Sequence, residues 1–113
     1  MIFQTLKAKR DFDFVYKNAK RVYAKNFVLY ILKRSDERFF LGLSVSKKVG
    51  IACKRNLIKR RFRGLCIAHV KGLGGLSLVF VPKQGILEMS YRDLEQDFLK
   101  CLGFFNKQRG QAV

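Results

Sequence analysis

Apolar positions recur with different periods along the chain. Phe12, Val15 and Tyr16 fall at i, i+3 and i+4, which predicts a short helix from Asp11 to Asn18 with Asp11 as its cap; Phe14 lies off that stripe. Residues 22–33 are β-rich, and FVLYIL at 27–32 is apolar on both faces, as a strand covered on both sides would be. SDER at 35–38 reads as a turn. FFLGLSVS at 39–46 then alternates: Phe39, Leu41, Leu43 and Val45 point one way, and Phe40, Gly42, Ser44 and Ser46 the other. The two strands are expected to form a hairpin, with the small and polar face of the second open to solvent or a ligand. Ile51 to about Val70 is predicted as a long helix, KGLGGLS at 71–77 as a connection, and SLVFV at 77–81 as a short buried strand ended by Pro82. Ser90 is the expected cap of a last helix, with Asp93 in its first turn and Tyr91, Leu94, Phe98 and Cys101 or Leu102 on its apolar face. The order helix, strands, helix, strand, helix, without repeat or linker, describes a single α+β domain, one sheet with helices packed on it.

Charge changes the picture. The net charge is +16, and from Arg38 to Leu87 there are eleven Lys and Arg and no Asp or Glu. With 49% hydrophobic residues and one Pro, the chain is not a disordered basic tail, which would lack the means to bury a core. A charge this large costs self-repulsion unless a polyanion offsets it, and nucleic acid is the leading candidate. No apolar run is long enough for a membrane span, and the first residues do not resemble a signal peptide, so a cytoplasmic protein is expected.

The basic stretch KRNLIKRRFR at 54–63 resolves into two faces at about 100° per residue. Ile58, Phe62, Leu65, Cys66 and His69 share an arc of roughly 100°, a buried stripe. Arg55, Asn56, Lys59, Arg60 and Arg63 occupy a separate arc of roughly 140°, with Lys54 and Arg61 to the sides. Like charges one turn apart oppose the helix, and no nearby acid offsets them, so the face suits a polyanion better than bare solvent. Asn56 adds both a donor and an acceptor, which can bond a phosphate, a ribose hydroxyl or a base edge. Phe12, Tyr16 and Tyr30 form a second candidate surface, since aromatics beside Lys and Arg can stack single-stranded bases; spacing alone equally allows them to be core. Cys53, Cys66 and Cys101 form no CxxC pair, Cys66 and His69 are expected to pack in a core, and neither a metal site nor a catalytic Ser/His/Asp or Cys/His arrangement is visible.

These residues together resemble the bacterial ribonuclease P protein component family. GLSVSKKVG (42–50) followed by IACKRNLIKRRFR (51–63) is similar to the family's Arg-Asn-Arg helix. RDFDFVY, NFVLY and SYRDLEQDFLKCL resemble the flanking elements in the right order, so the likeness covers about residues 5–103. The resemblance implies an α/β sandwich in the order α-β-β-β-α-β-α, like the second domain of ribosomal protein S5, with a left-handed βαβ crossover carrying the motif helix, and one domain over residues 1–113 with its core at about 5–103 and a flexible tail at 104–113. It implies a non-catalytic subunit, monomeric and in a 1:1 complex with a catalytic RNA that uses Mg²⁺ held mainly by the RNA to remove 5′ leaders from precursor tRNA. Carried over by position, Lys54, Arg55, Asn56, Lys59, Arg60 and Arg63 would face that RNA. Phe12, Tyr16 and Tyr30, with Ser44 and Lys47, would line a leader-binding cleft, their rings partly exposed. The family's second motif Arg is Leu57 here, and Arg61 is the residue placed to take over part of its role.

Three rivals remain open on the residues alone. A generic RNA-binding protein of ribosomal type would share the charge and the helix. A metal-dependent nuclease would use Asp36 or Glu37, the only acids between positions 14 and 87. A membrane-surface helix would leave its apolar face exposed, and the strands of this chain are available to cover it.

Overall fold

The computed structural model describes the backbone of residues 4–111 and the side chains of residues 4–106. Five strands and three helices follow in the order β1 (Gln4–Thr5), α1 (Lys9–Asn18), β2 (Lys20–Tyr23), β3 (Phe27–Lys33), β4 (Phe40–Leu43), α2 (Ala52–Ala68), β5 (Leu76–Pro82) and α3 (Tyr91–Gln111). They form one mixed sheet in the order β1-β4-β5-β3-β2.

The expected hairpin between residues 22–33 and 39–46 is not formed. β5 inserts between β3 and β4, antiparallel to the first and parallel to the second. The reason is burial: every residue of β5 except Val81 is buried, so this strand gains most by lying at the centre with both edges paired. The hairpin is instead β2–β3, with Val22 opposite Leu29 and Arg21 opposite Tyr30. β1, which the alternation did not reveal, is two residues beside β4.

The two faces of the sheet are covered unequally. One face carries Leu29, Ile31, Leu41, Leu78 and Phe80 against Ile58, Phe62, Leu65 and Cys66 of α2 and Leu94, Phe98, Cys101 and Phe105 of α3. Its centre is the stack of Phe62 on Phe80, with ring centroids 3.7 Å apart and planes 14° apart, flanked edge-on by Phe98 and Phe27. The other face carries only α1. Gly42 of β4 is needed there, because a Cβ would lie 2.7 Å from the Phe12 ring.

Helix ends refine several expectations. α1 begins two residues early with Ala8 as N-cap, and the Asp11 and Phe12 amides donate to the Ala8 carbonyl, so Asp11 acts through the helix dipole in the first turn instead of as the cap. Ser90 does cap α3, its hydroxyl accepting from the Asp93 amide at 3.1 Å. Tyr91, expected on the apolar face, is exposed, because Leu94, Phe98 and Cys101 already fill that face. α2 ends at Ala68, so His69 is its C-cap and not part of the buried stripe; half-buried, it meets Glu95 at 2.9 Å. The core extends past residue 103, since α3 continues and Phe105 is buried; residues 112 and 113 of the expected tail lie outside the described residues. Cys66 does pack in the core, where burial pushes its thiol up to about 12, and burial with the charge of Asp97 pushes Cys101 up to about 11.

The turn after β3 is latched by Asp36. Arg34 donates to both of its carboxylate oxygens at 2.8 Å, and the Arg38 amide and guanidinium add bonds of 3.1 Å. Both guanidinium groups lie against Phe40, at 4.1 and 5.2 Å from the ring centroid. Gly75, at φ 83°, donates to the Glu37 and Arg38 carbonyls and ties this turn to the start of β5.

This packing can be tested at two points. Phe62→Ala removes the central ring of the aromatic cluster and is expected to destabilise by about 3–5 kcal/mol, a large part of a typical domain's stability, read as the shift of the urea midpoint. The hydrogen bonds from Arg34, joined by those from Arg38, hold the Asp36 carboxyl well below the ordinary carboxylate range. A depressed folded-state pKa gives stability that is present above the unfolded value and is lost as pH falls below it. Asp36→Asn is therefore expected to melt lower than the parent at pH 7, with the gap closing as the pH is taken below about 4; a gap constant with pH counts against the latch.

Candidate nucleic-acid interface

The aromatic surface is built by register. Paired residues on neighbouring strands point to the same face, so Gly42, Val79, Tyr30 and Arg21 form one row across β4, β5, β3 and β2 beneath α1. Phe12 rests on Gly42, and Tyr16 meets Tyr30 with centroids 4.8 Å apart in an edge-to-face arrangement. Phe12 and Tyr16 are 6.3 Å apart. All three rings are partly exposed: Phe12 and Tyr30 are half-buried, and Tyr16 is 36% exposed. They are neither ordinary core nor free surface, because a ten-residue helix covers one row of the sheet and leaves the next less covered.

That next row contains the half-buried Val81 and the buried Val28, with the half-buried Ser44 just past the end of β4. The Ser44 amide donates to the Phe80 carbonyl at 3.0 Å, which keeps Ser44 in line with the sheet although it lies outside the strand. The cleft thus has an aromatic wall from α1 and β3, a valine floor and a polar end at Ser44. Val81 and Val28 were not singled out by sequence reasoning, because FVLYIL and SLVFV read as core on both faces; only the shortness of α1 could have hinted otherwise.

The chain leaves the cleft at Ser44 and enters a 3-10 turn at Lys47–Val49, where Lys47 and Lys48 are exposed, before α2 starts. Positive charge therefore continues from the cleft into the basic helix. On α2, Lys54, Asn56, Arg60 and Arg63 are exposed, while Arg55 and Lys59 are half-buried along their stems. None of the Lys and Arg of α2 forms an ion pair among the described residues. The acids that do pair are Asp36, bound to Arg34 and Arg38, and Glu95, at His69. The Arg55 Nε is buried with no hydrogen-bond partner among the described residues.

Two side expectations change. Arg61 does not extend the basic face: half-buried, it donates to the Met89 carbonyl at 3.4 Å and is drawn toward the protein, so it is poorly placed to replace the missing Arg at Leu57. Asp36, one of the two acids that a nuclease would have used, is held by two arginines and is a structural group. Among the described residues, no three His, Cys, Asp or Glu side chains stand together as a metal site. No helix among the described residues is long and apolar enough to cross a membrane, and the apolar face of α2 is buried, unlike that of a membrane-surface helix.

Comparison with known proteins identifies the family and the fold. The family model for Ribonuclease P matches residues 3–106. The ribonuclease P protein component of Helicobacter acinonychis is 40% identical over 94% of this chain and 83% of its own length. That of Streptococcus gordonii is 36% identical over 86% of this chain and 82% of its own. Among solved structures, the RNase P protein of Staphylococcus aureus superposes with a TM-score of 0.82 at 28% identity, covering 91% of this chain and 95% of that one. The RNase P protein of Thermotoga maritima does so with 0.79 at 25% identity, covering 88% and 94%. With a family model spanning nearly the whole chain and the same mixed sheet and three helices in the solved structures, this chain belongs to the ribonuclease P protein component family, a part of the endoribonuclease RNase P.

Proposed function

We propose that this chain works in the cytoplasm as the protein subunit of RNase P, bound one-to-one to the catalytic RNA through α2 and to the 5′ leader of precursor tRNA through the cleft. The observation that carries this reading is the continuity of the two surfaces. The partly exposed rings of Phe12, Tyr16 and Tyr30 lead past Ser44 and Lys47 into a helix whose cations have no acidic partners among the described residues.

Each part has a physical task. Arg55, Lys59, Arg60 and Arg63, with Lys54 at the side, neutralise phosphates of the RNA subunit and release its counterions. Asn56 reads a ribose or base edge with its paired donor and acceptor. The charge of +16 lowers the repulsion between two crowded RNAs, the enzyme and its substrate. The cleft then favours precursor over mature tRNA, because stacking on Tyr16 and Tyr30 is available only to the strand that mature tRNA has lost. The chemistry belongs to the RNA, which positions Mg²⁺ and the attacking water; the protein raises affinity for substrate.

Reconstitution with the RNA subunit at low Mg²⁺ tests the assignment as a whole. Added protein is expected to accelerate leader removal, and a generic RNA-binding protein would give no leader-dependent gain. Two mutational predictions separate the surfaces. Replacing Arg55, Lys59 or Arg63 with Ala is expected to weaken RNA binding and to make its logarithmic salt slope shallower by up to ~1 for each phosphate no longer neutralised. Tyr30→Ala is expected to leave assembly intact and to cut the preference for leader-bearing tRNA by roughly 5- to 150-fold, the range of one base stack. Equal weakening for precursor and mature tRNA would exclude the cleft role.

A further inference from the structure

The row of Ser44, Val81 and Val28 does not stop at Val28, which is itself buried at 8% exposure. Its next member is Tyr23 on β2, paired with Val28 and 62% exposed, with the Lys83 Nζ 5.5 Å from its ring centre. β2 is the edge of the sheet, and a groove of about 700 Å³ wraps around it. Arg21 and Tyr23 face the α1 side of the edge, Lys20 faces the α3 side, and Lys25, Lys100 and Phe104 join them beside the apolar Val22, Ala24 and Cys101. Phe104 is 49% exposed, with the Lys20 Nζ 6.0 Å from its ring centre. Asp97 is the single acid in the lining. Lysines beside exposed aromatic rings suit a polyanion with flat bases better than a folded protein surface.

We propose that this edge groove is a second single-stranded RNA subsite, which takes leader nucleotides upstream of those held over Tyr30. The inference rests on the leader reading of the cleft and extends it. Direction follows from the fold. The Ser44 and Lys47 end of the cleft joins α2, which faces the catalytic RNA, so a leader strand crossing the floor toward β2 moves away from the cleavage site. From β4 to β2 it passes three strand spacings, ~14 Å, before reaching Tyr23. There the strand has phosphate partners on both sides of the edge and two rings on which bases can stack.

The experiment measures binding of the reconstituted holoenzyme to precursor tRNAs with leaders of about 4 and about 12 nucleotides, the shorter filling only the cleft. The variants are Tyr23→Ala/Phe104→Ala and Lys20→Ala/Lys100→Ala. All four side chains are exposed, and melting curves of the free protein check that folding is unchanged. The expected result is a loss of about 10-fold on the long leader and none on the short one. A loss equal at both lengths, or equal for mature tRNA, overturns the proposal in favour of contact with the RNA subunit. No loss at either length overturns it as well, as does a change in the oligomeric state of the free protein with no leader effect, which makes the edge a self-association surface. Tyr30→Ala in the same series keeps the two readings apart: it should weaken the short leader too, and its failure to do so refutes the cleft, whereas a failure of the edge variants alone refutes only the extension.

Discussion

The stack of Phe62 on Phe80 is the contact on which the rest of this structure depends. It presses α2 against the central strand at a fixed rotation, so everything on the opposite side of that helix must face outward. The energetic balance explains why this holds in spite of charge. Full burial of Ile58, Phe62 and Leu65 stabilises by about 1.5–3 kcal/mol each, whereas like charges one turn apart, such as Arg55–Lys59 and Lys59–Arg63, oppose the helix by only a few tenths each. The core can therefore hold in place a cationic surface that an isolated helix would resist forming.

A second consequence flows from unequal cover. α2 and α3 close one face of the sheet, and α1 is too short to close the other. Its Phe12 and Tyr16 cover the row of Gly42 and Tyr30 and leave the row of Val81 more open beside it. A cleft arises without any loop having to build it, and because its floor is sheet and its wall is helix, the rings are held rigid before any ligand arrives. The Asp36 latch and Gly75 fix the far end of the same face by joining the turn after β3 to the start of β5. Rigid platforms lose little side-chain entropy on binding, which suits the recognition of a strand that must itself become ordered.

Much of this was legible in the residues. The apolar stripe of Ile58, Phe62, Leu65 and Cys66, the sorting of Arg55, Asn56, Lys59, Arg60 and Arg63 to the other side, the Ser90 cap and the burial of SLVFV all follow from local periodicity and charge. What the residues misled on was pairing and termination. Consecutive strands usually pair, which favours a hairpin of 22–33 with 39–46, but the strand with most to bury takes the place between them. His69 fell on the stripe only so long as the helix was carried one residue past Ala68. Asp11 resembled a cap because residues 8–10 carry no signal that marks the true start.

By itself the sequence determined what lies inside each element and which sign of charge lies outside, because both depend on a period of 2 or 3.6 and on nothing farther away than a few residues. The tertiary structure alone decided that β5 separates β3 from β4, that Tyr16 of a helix meets Tyr30 of a strand, that Arg61 turns inward to Met89, and that the row of Val81 and Val28 runs on to Tyr23 at the sheet edge. Those are contacts between segments far apart in the chain, set by competition among strands for the best-covered place, and no local pattern encodes the outcome of that competition.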